Sequence, residues 1–159
     1  MMKNIIYLAT LTLALAASIP AAYATHLPDK RIYPHVFSTG QFPQTKWGTV
    51  RQSFQLQIPS QSNNLSELDI EVPKGLTVRN DISVSDKFGR KVQANTSING
   101  NKMMIVFPQA VSPGSILNID MNRVNRTGTS NGWIYRVSAK FVGSDVEMPI
   151  GIARFGLFY

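Results

Sequence analysis

Apolar and polar residues alternate with a period of two along most of the chain. In Val50 to Ile58, the side chains of Val50, Phe54, Leu56 and Ile58 share one side, and Arg51, Ser53, Gln55 and Gln57 share the other. Leu68, Ile70 and Val72 face one way, against Glu67, Asp69 and Glu71. Leu117, Ile119 and Met121 alternate with Asn118, Asp120 and Asn122. Trp133, Tyr135, Val137, Ala139 and Phe141 form the longest such face, opposite Arg136, Ser138 and Lys140. Period-two alternation predicts strands with one side in a core and the other in water. Met103 to Phe107 and Ile150 to Phe158 are apolar on both faces, which predicts interior strands. For Ile150–Phe158 the expectation is a strand paired on both edges, with most side chains buried.

Turn chemistry separates these segments at regular intervals. Pro59 to Asn64, Pro73-Lys74-Gly75, Asp86 to Gly89, Ser112-Pro113-Gly114, Thr127 to Gly132 and Gly143 to Asp145 all carry it. Asn99-Gly100 is the strongest hairpin signal, predicting a type I′ turn between a strand near Val92–Ile98 and Met103–Phe107. No window offers an apolar i, i+3, i+4, i+7 stripe with caps. About eight short strands with such spacing predict an all-β fold, a sandwich or a barrel, with an antiparallel β-sandwich that is immunoglobulin-like or related as the leading expectation.

The first residues follow a different rule. Lys3 precedes an apolar run from Ile5 to Ala17, Pro20 ends any helix, and Ala22-Tyr23-Ala24 offers small residues for a signal peptidase. A spanning helix needs about 20 apolar residues, so the run is too short for an anchor. The pattern predicts a cleavable signal peptide over 1–24, cut after Ala24. A 25–41 N-terminal arm and a single β-sandwich domain over 42–159 would follow. No later stretch has transmembrane length, so the expected product is exported, periplasmic or extracellular.

Composition narrows the chemistry. Of 159 residues, 43% are hydrophobic and 16% charged, which excludes a disordered tail. There is no cysteine, hence no disulfide framework and no thiol nucleophile. A net charge of +7, or +6 once Lys3 is removed, raises anionic partners. The cations are scattered, however; the densest group, Arg79, Lys87, Arg90 and Lys91, is interrupted by Asp81 and Asp86. Nucleic acid is not expected, because no cationic run with interleaved aromatics appears. An envelope protein or an anionic polysaccharide remains an open partner.

Gly128-Thr129-Ser130-Asn131-Gly132 matches G-x-S-x-G, but a nucleophile elbow needs a helix after it and a later His. Here a strand is predicted after it and no His follows, so the motif reads as a turn. Asn64, Asn95 and Asn125 head glycosylation triplets that matter only in a eukaryotic secretory route. The Glu67/Asp69/Glu71 row spaces its carboxylates about 6.5–7 Å apart, too far to wrap one Ca²⁺ ion, and reads as an exposed polar face. His26 and His35 are the metal candidates. After cleavage, the α-amine and His26 could chelate Cu(II), whose tetragonal preference suits nitrogen ligands. No third ligand is evident, and two solvated histidines in a loose arm explain the pattern. The reading assigns no metal, no cofactor and no catalytic residue.

Val111-Ser112-Pro113-Gly114-Ser115, Trp133 to Ala139 and Pro149-Ile150-Gly151-Ile152-Ala153-Arg154-Phe155 carry a resemblance. With the signal peptide and Trp47-Gly48, the chain from about Phe42 to Tyr159 resembles the domain of unknown function 2808 family of secreted cyanobacterial proteins. Its Asn-rich middle is shorter than the family pattern. The resemblance implies kinship of fold and compartment, and brings no catalytic residue. The expectation is a non-enzymatic exported β-sandwich acting as a periplasmic or cell-envelope binding or structural module. The alternative is a periplasmic copper-binding protein using its N-terminal histidines.

Overall fold

The alternating segments become ten strands in a computed structural model that describes residues 31–45, 47–127 and 129–156. They are β1 (His35–Phe42), β2 (Thr49–Gln57), β3 (Leu65–Glu71), β4 (Leu76–Val78) and β5 (Ile82–Asp86), then β6 (Asn95–Asn99), β7 (Lys102–Val111), β8 (Ile116–Arg126), β9 (Gly132–Phe141) and β10 (Met148–Gly156). Sheet A runs β1-β2-β8, with β4 and β5 following one another along the far side of β8; sheet B runs β10-β9-β3-β7-β6. All pairings are antiparallel. Among the described residues no helix is long and apolar enough to cross a membrane.

The inward faces are those expected from the alternation. Phe54, Leu56, Leu117, Ile119 and Met121 of sheet A meet Leu68, Ile70, Met103, Ile105 and Val137 of sheet B, all buried. Burying each such side chain stabilises the fold by roughly 1.5–3 kcal/mol, which is why a cysteine-free chain of this size can hold one core. Short polar contacts join the sheets at both open sides. The Thr39 hydroxyl donates to the Arg154 carbonyl at 2.9 Å across β1 and β10. On the opposite side Thr96 donates to Asn80 Oδ1 at 2.8 Å.

Three sequence expectations need correction. Residues 35–41, expected in a loose arm, form most of β1, because Val36 to Phe42 find ladder partners from Leu56 back to Arg51. The hairpin at Asn99-Gly100 exists, but Asn99 pairs with Lys102, so Gly100 and Asn101 form its tip. Gly100 has φ 62°, and among the described residues no non-glycine residue has positive φ, the pattern of type II′ rather than type I′.

The third correction concerns β10. It pairs with β9 only and is an edge strand, not an interior one. Pro149, which has no N–H to donate, suits that edge. A bulge between Pro149 and Gly151, where Gly151 has φ 145°, shifts the side-chain phase by one residue. Ile150 therefore points inward before the bulge, and Ala153 and Phe155 after it, while Ile152 is exposed. The phase shift makes a half-buried strand read as apolar on both faces. Leu157 and Phe158 lie outside the described residues.

Candidate functional site

The residues singled out by sequence do not converge. His26 lies outside the described residues. His35 opens β1 and is buried, with Nδ1 3.4 Å from the Tyr33 carbonyl oxygen, so it is not in a solvated arm. Among the described residues no group of three His, Asp or Glu side chains is placed to hold a metal. The Ser130 hydroxyl donates to the Gly132 carbonyl at 2.7 Å, and strand β9 follows at once. That local turn uses the hydroxyl a nucleophile elbow would need free.

The acidic row on β3 is only partly the open face expected. Asp69 is 2% exposed, beneath Lys102 from β7 and Lys140 from β9. Its Oδ1 lies 3.2 Å from Lys102 Nζ and its Oδ2 3.8 Å from Lys140 Nζ. Lys102 also reaches Glu147 at 3.2 Å, and Lys140 reaches Glu67 at 2.7 Å. The Glu147 carboxylate, then that of Asp69, raises the pKa of Lys102; Glu67 does the same for Lys140. The outer face of sheet B is thus a cross-strand lattice of paired charges, with Arg136 3.6 Å from Glu71. Elsewhere Arg90 pairs with Asp86 at 2.7 Å and Arg123 with Asp81 at 3.4 Å. Many of the cations are therefore paired locally with a carboxylate.

A second arrangement was missed by sequence reasoning. Between the sheets, the Tyr135 hydroxyl donates to Gln52 Oε1 at 2.6 Å, and Gln52 Nε2 donates to Gln41 Oε1 at 3.0 Å. Arg126, at the end of β8, donates to the same Gln41 oxygen and to the Thr45 carbonyl. Its guanidinium carbon lies 4.4 Å from the centre of the Trp133 ring, a cation–π contact. Burial raises the pKa of Tyr135 and lowers that of Arg126. Gln52 shares the parity of Val50, Phe54 and Leu56, so its inward position was readable; its partners 11 and 83 residues away were not.

This partly buried chain reaches the β1–β2 connection at Thr45. Gln44 Nε2 donates to the Gln41 carbonyl at 3.0 Å, and the Trp47 N–H donates to Thr45 Oγ1 at 3.2 Å. Phe42, the last residue of β1, is 72% exposed and Trp47, just before β2, 75%. Large aromatic side chains left in water cost hydrophobic free energy, and they are common anchors at binding surfaces.

The outer face of sheet A adjoins this loop through Phe42, which is paired with Arg51. Two complete rows cross β1, β2, β8 and β5 on that face: Ser38–Gln55–Asn118–Ser85 and Gly40–Ser53–Asp120–Ser83. They frame a shallow depression of about 230 Å³.

Comparisons with known proteins give the fold and no more. No protein-family model matches the chain, and no curated protein sequence matches it. Among solved structures, the chain is similar to BslA, described as a bacterial hydrophobin, with TM-score 0.54, 14% identity, 79% of this chain and 98% of that one covered. It is also similar to the N-terminal domain of the Streptococcus gordonii adhesin Sgo0707, with TM-score 0.53 and 13% identity over 83% of this chain. The T6 backbone pilin of Streptococcus pyogenes gives TM-score 0.53 and 11% identity over 77%. The chain matches about a third of those two structures, 33% and 35% of their lengths. The fold is the immunoglobulin-like β-sandwich found in adhesin and pilin domains, as the sequence predicted.

Proposed function

We propose that this protein is an exported, non-enzymatic β-sandwich that works outside the cytoplasm as a binding or structural module of the cell envelope. The observation that carries the reading is the exposure of two large aromatic side chains, Phe42 at the end of β1 and Trp47 just before β2, beside a hydrogen-bonded chain of Arg126, Gln41, Gln52 and Tyr135. The adhesin, pilin and hydrophobin folds that the chain resembles are consistent with that role. The signal-peptide pattern over 1–24 supports export. Kinship with the domain of unknown function 2808 family is part of the proposal; its supporting runs fall on the β7–β8 turn, β9 and β10.

The test is retention of the exported protein on a washed envelope fraction. Wild type should be retained, and Trp47→Ser should lose about tenfold in apparent affinity, the scale of one truncated anchor worth more than 1 kcal/mol. Equal retention of both proteins, or none of either, overturns the reading.

A further inference from the structure

The two outer faces of the sandwich are built from different residues. Sheet B carries Glu67, Glu71, Lys102, Arg136 and Lys140, long charged side chains of the usual kind for a solvated sheet. The two rows that cross sheet A contain four serines, one glycine, Gln55, Asn118 and Asp120, with no lysine, arginine, aromatic or β-branched residue. Gly40, Asn118 and Asp120 are of types poor in strands, and none of the eight is of the β-branched or aromatic types that favour them, on a scale that spans about 1 kcal/mol per position. Their concentration on one face runs against local strand propensity. Such conflicts gather where function overrides stability.

We propose that this face binds a neutral, linear polysaccharide. Resting on the binding-module reading, the inference assigns it a ligand class. Small side chains allow a ligand to approach the sheet closely. Neighbouring strands lie about 4.8 Å apart and alternate residues about 6.6–7 Å apart, so the rows form a grid of hydroxyl, amide and carboxylate groups. Arg51 to Gln57 spans roughly 20 Å at about 3.3 Å per residue, long enough for an extended chain. Part of the grid is internally ordered: Gln55 Nε2 donates to Asn118 Oδ1 at 2.7 Å, and Asn118 Nδ2 donates to the Asp86 carbonyl at 3.0 Å. These bonds fix the orientation of the amides and leave further lone pairs directed outward for sugar hydroxyls. Phe42 stands beyond the Gly40 row on the same face of β1 and offers a ring against which a sugar can stack.

The other ligand classes fit less well. Protein interfaces are depleted in serine and draw their energy from Trp, Tyr and Arg anchors, which both rows lack. Nucleic acid and anionic polysaccharide need cations. Within the four strands the rows carry one charge, the Asp120 carboxylate, with Arg51 Nε 4.0 Å from it, and a single lysine, Lys91, is bridged to Ser85 at the end of one row.

The experiment measures retention of the exported protein on immobilised β-glucan, mannan and chito-oligosaccharide, with alginate as the anionic comparator. Light scattering reports self-association in parallel. Wild type should bind at least one neutral glycan and bind alginate at least tenfold more weakly. Ser53→Lys, which places a long cation at the centre of the grid, should lower neutral-glycan binding at least tenfold with an unchanged circular dichroism spectrum. Ser85→Lys, on the short edge strand β5, serves as a second variant should Ser53→Lys not fold, and should act in the same direction. No neutral-glycan binding, binding indifferent to both lysine variants, or tighter binding to alginate overturns the inference. So does a concentration-dependent dimer abolished by Ser53→Lys, which would make the face an interface between copies. If envelope retention still depends on Trp47 in any of these cases, the binding-module reading stands; if wild type is not retained by the envelope, that reading falls as well.

Discussion

Replacing Tyr135 by Phe removes one oxygen atom from the centre of the protein and leaves the ring in place. The ring packs edge-on against Phe155, with centroids 5.4 Å apart at 83°, and that contact survives the change. What is lost is the 2.6 Å hydrogen bond to Gln52 Oε1. Gln52 is fully buried, so no water replaces the missing donor. An unsatisfied buried acceptor costs about 1–3 kcal/mol. For a domain of this size that corresponds to a fall in Tm of roughly 3–12 °C. Urea unfolding followed by circular dichroism, with an unchanged m-value, gives the free energy directly. The double variant Tyr135→Phe/Gln52→Leu should recover part of the loss, since removing both partners leaves no orphaned acceptor at that bond. A single-variant change below about 0.3 kcal/mol would refute the claim that this hydroxyl is buried and bonded. The phenol supplies a second readout. Its pKa is raised in the fold above the ordinary value near 10, so the folded state holds the proton after the unfolded chain has released it. Stability should therefore fall as pH rises above about 10, and Tyr135→Phe should remove that component of the fall.

Other consequences follow from single contacts. Phe155→Ala in edge strand β10 should cost about 3–5 kcal/mol in the same unfolding assay, because the ring is buried despite its place at the sheet edge; a loss under 1 kcal/mol would place the ring in solvent. Asp86 accepts from the backbone N–H groups of Phe88 and Arg90 at 2.9 Å each. Against the opposing effect of its own desolvation, its bonds to Arg90 and Phe88 lower its pKa. Asp86→Ala should speed hydrogen exchange at Phe88 and Arg90, and acidification through the carboxylate range should do the same in wild type. Unchanged exchange rates would show that these amides are held by something else.

The alternation made the sandwich legible: in β9, which keeps its phase from Trp133 to Phe141, the buried residues are those the pattern names. It failed where a bulge inserts one residue. At Gly151 the phase flips, Ile150 and Ile152 fall on opposite sides, and an edge strand imitates an interior one. Pro149 carried the contrary signal, because a proline belongs at an edge. At the hairpin, Asn99-Gly100 located the turn, but the ladder set its register one residue later. Little of the candidate site was legible. Arg126 and Gln41 are 85 residues apart and meet only because β8 and β1 both flank β2. The two polar rows are invisible along the chain, since each takes one residue from each of four strands.

The central claim is that this protein binds through one side of the sandwich, the Phe42–Trp47 loop together with the outer face of sheet A. Amide chemical-shift mapping of the isotopically labelled exported protein, titrated with solubilised envelope polysaccharide, reads that claim residue by residue. The account predicts saturating shifts at Gly40, Phe42, Trp47, Ser53 and Asn118, with Glu67, Glu71 and Arg136 on the opposite face unmoved. Shifts confined to the charged face of sheet B would contradict it.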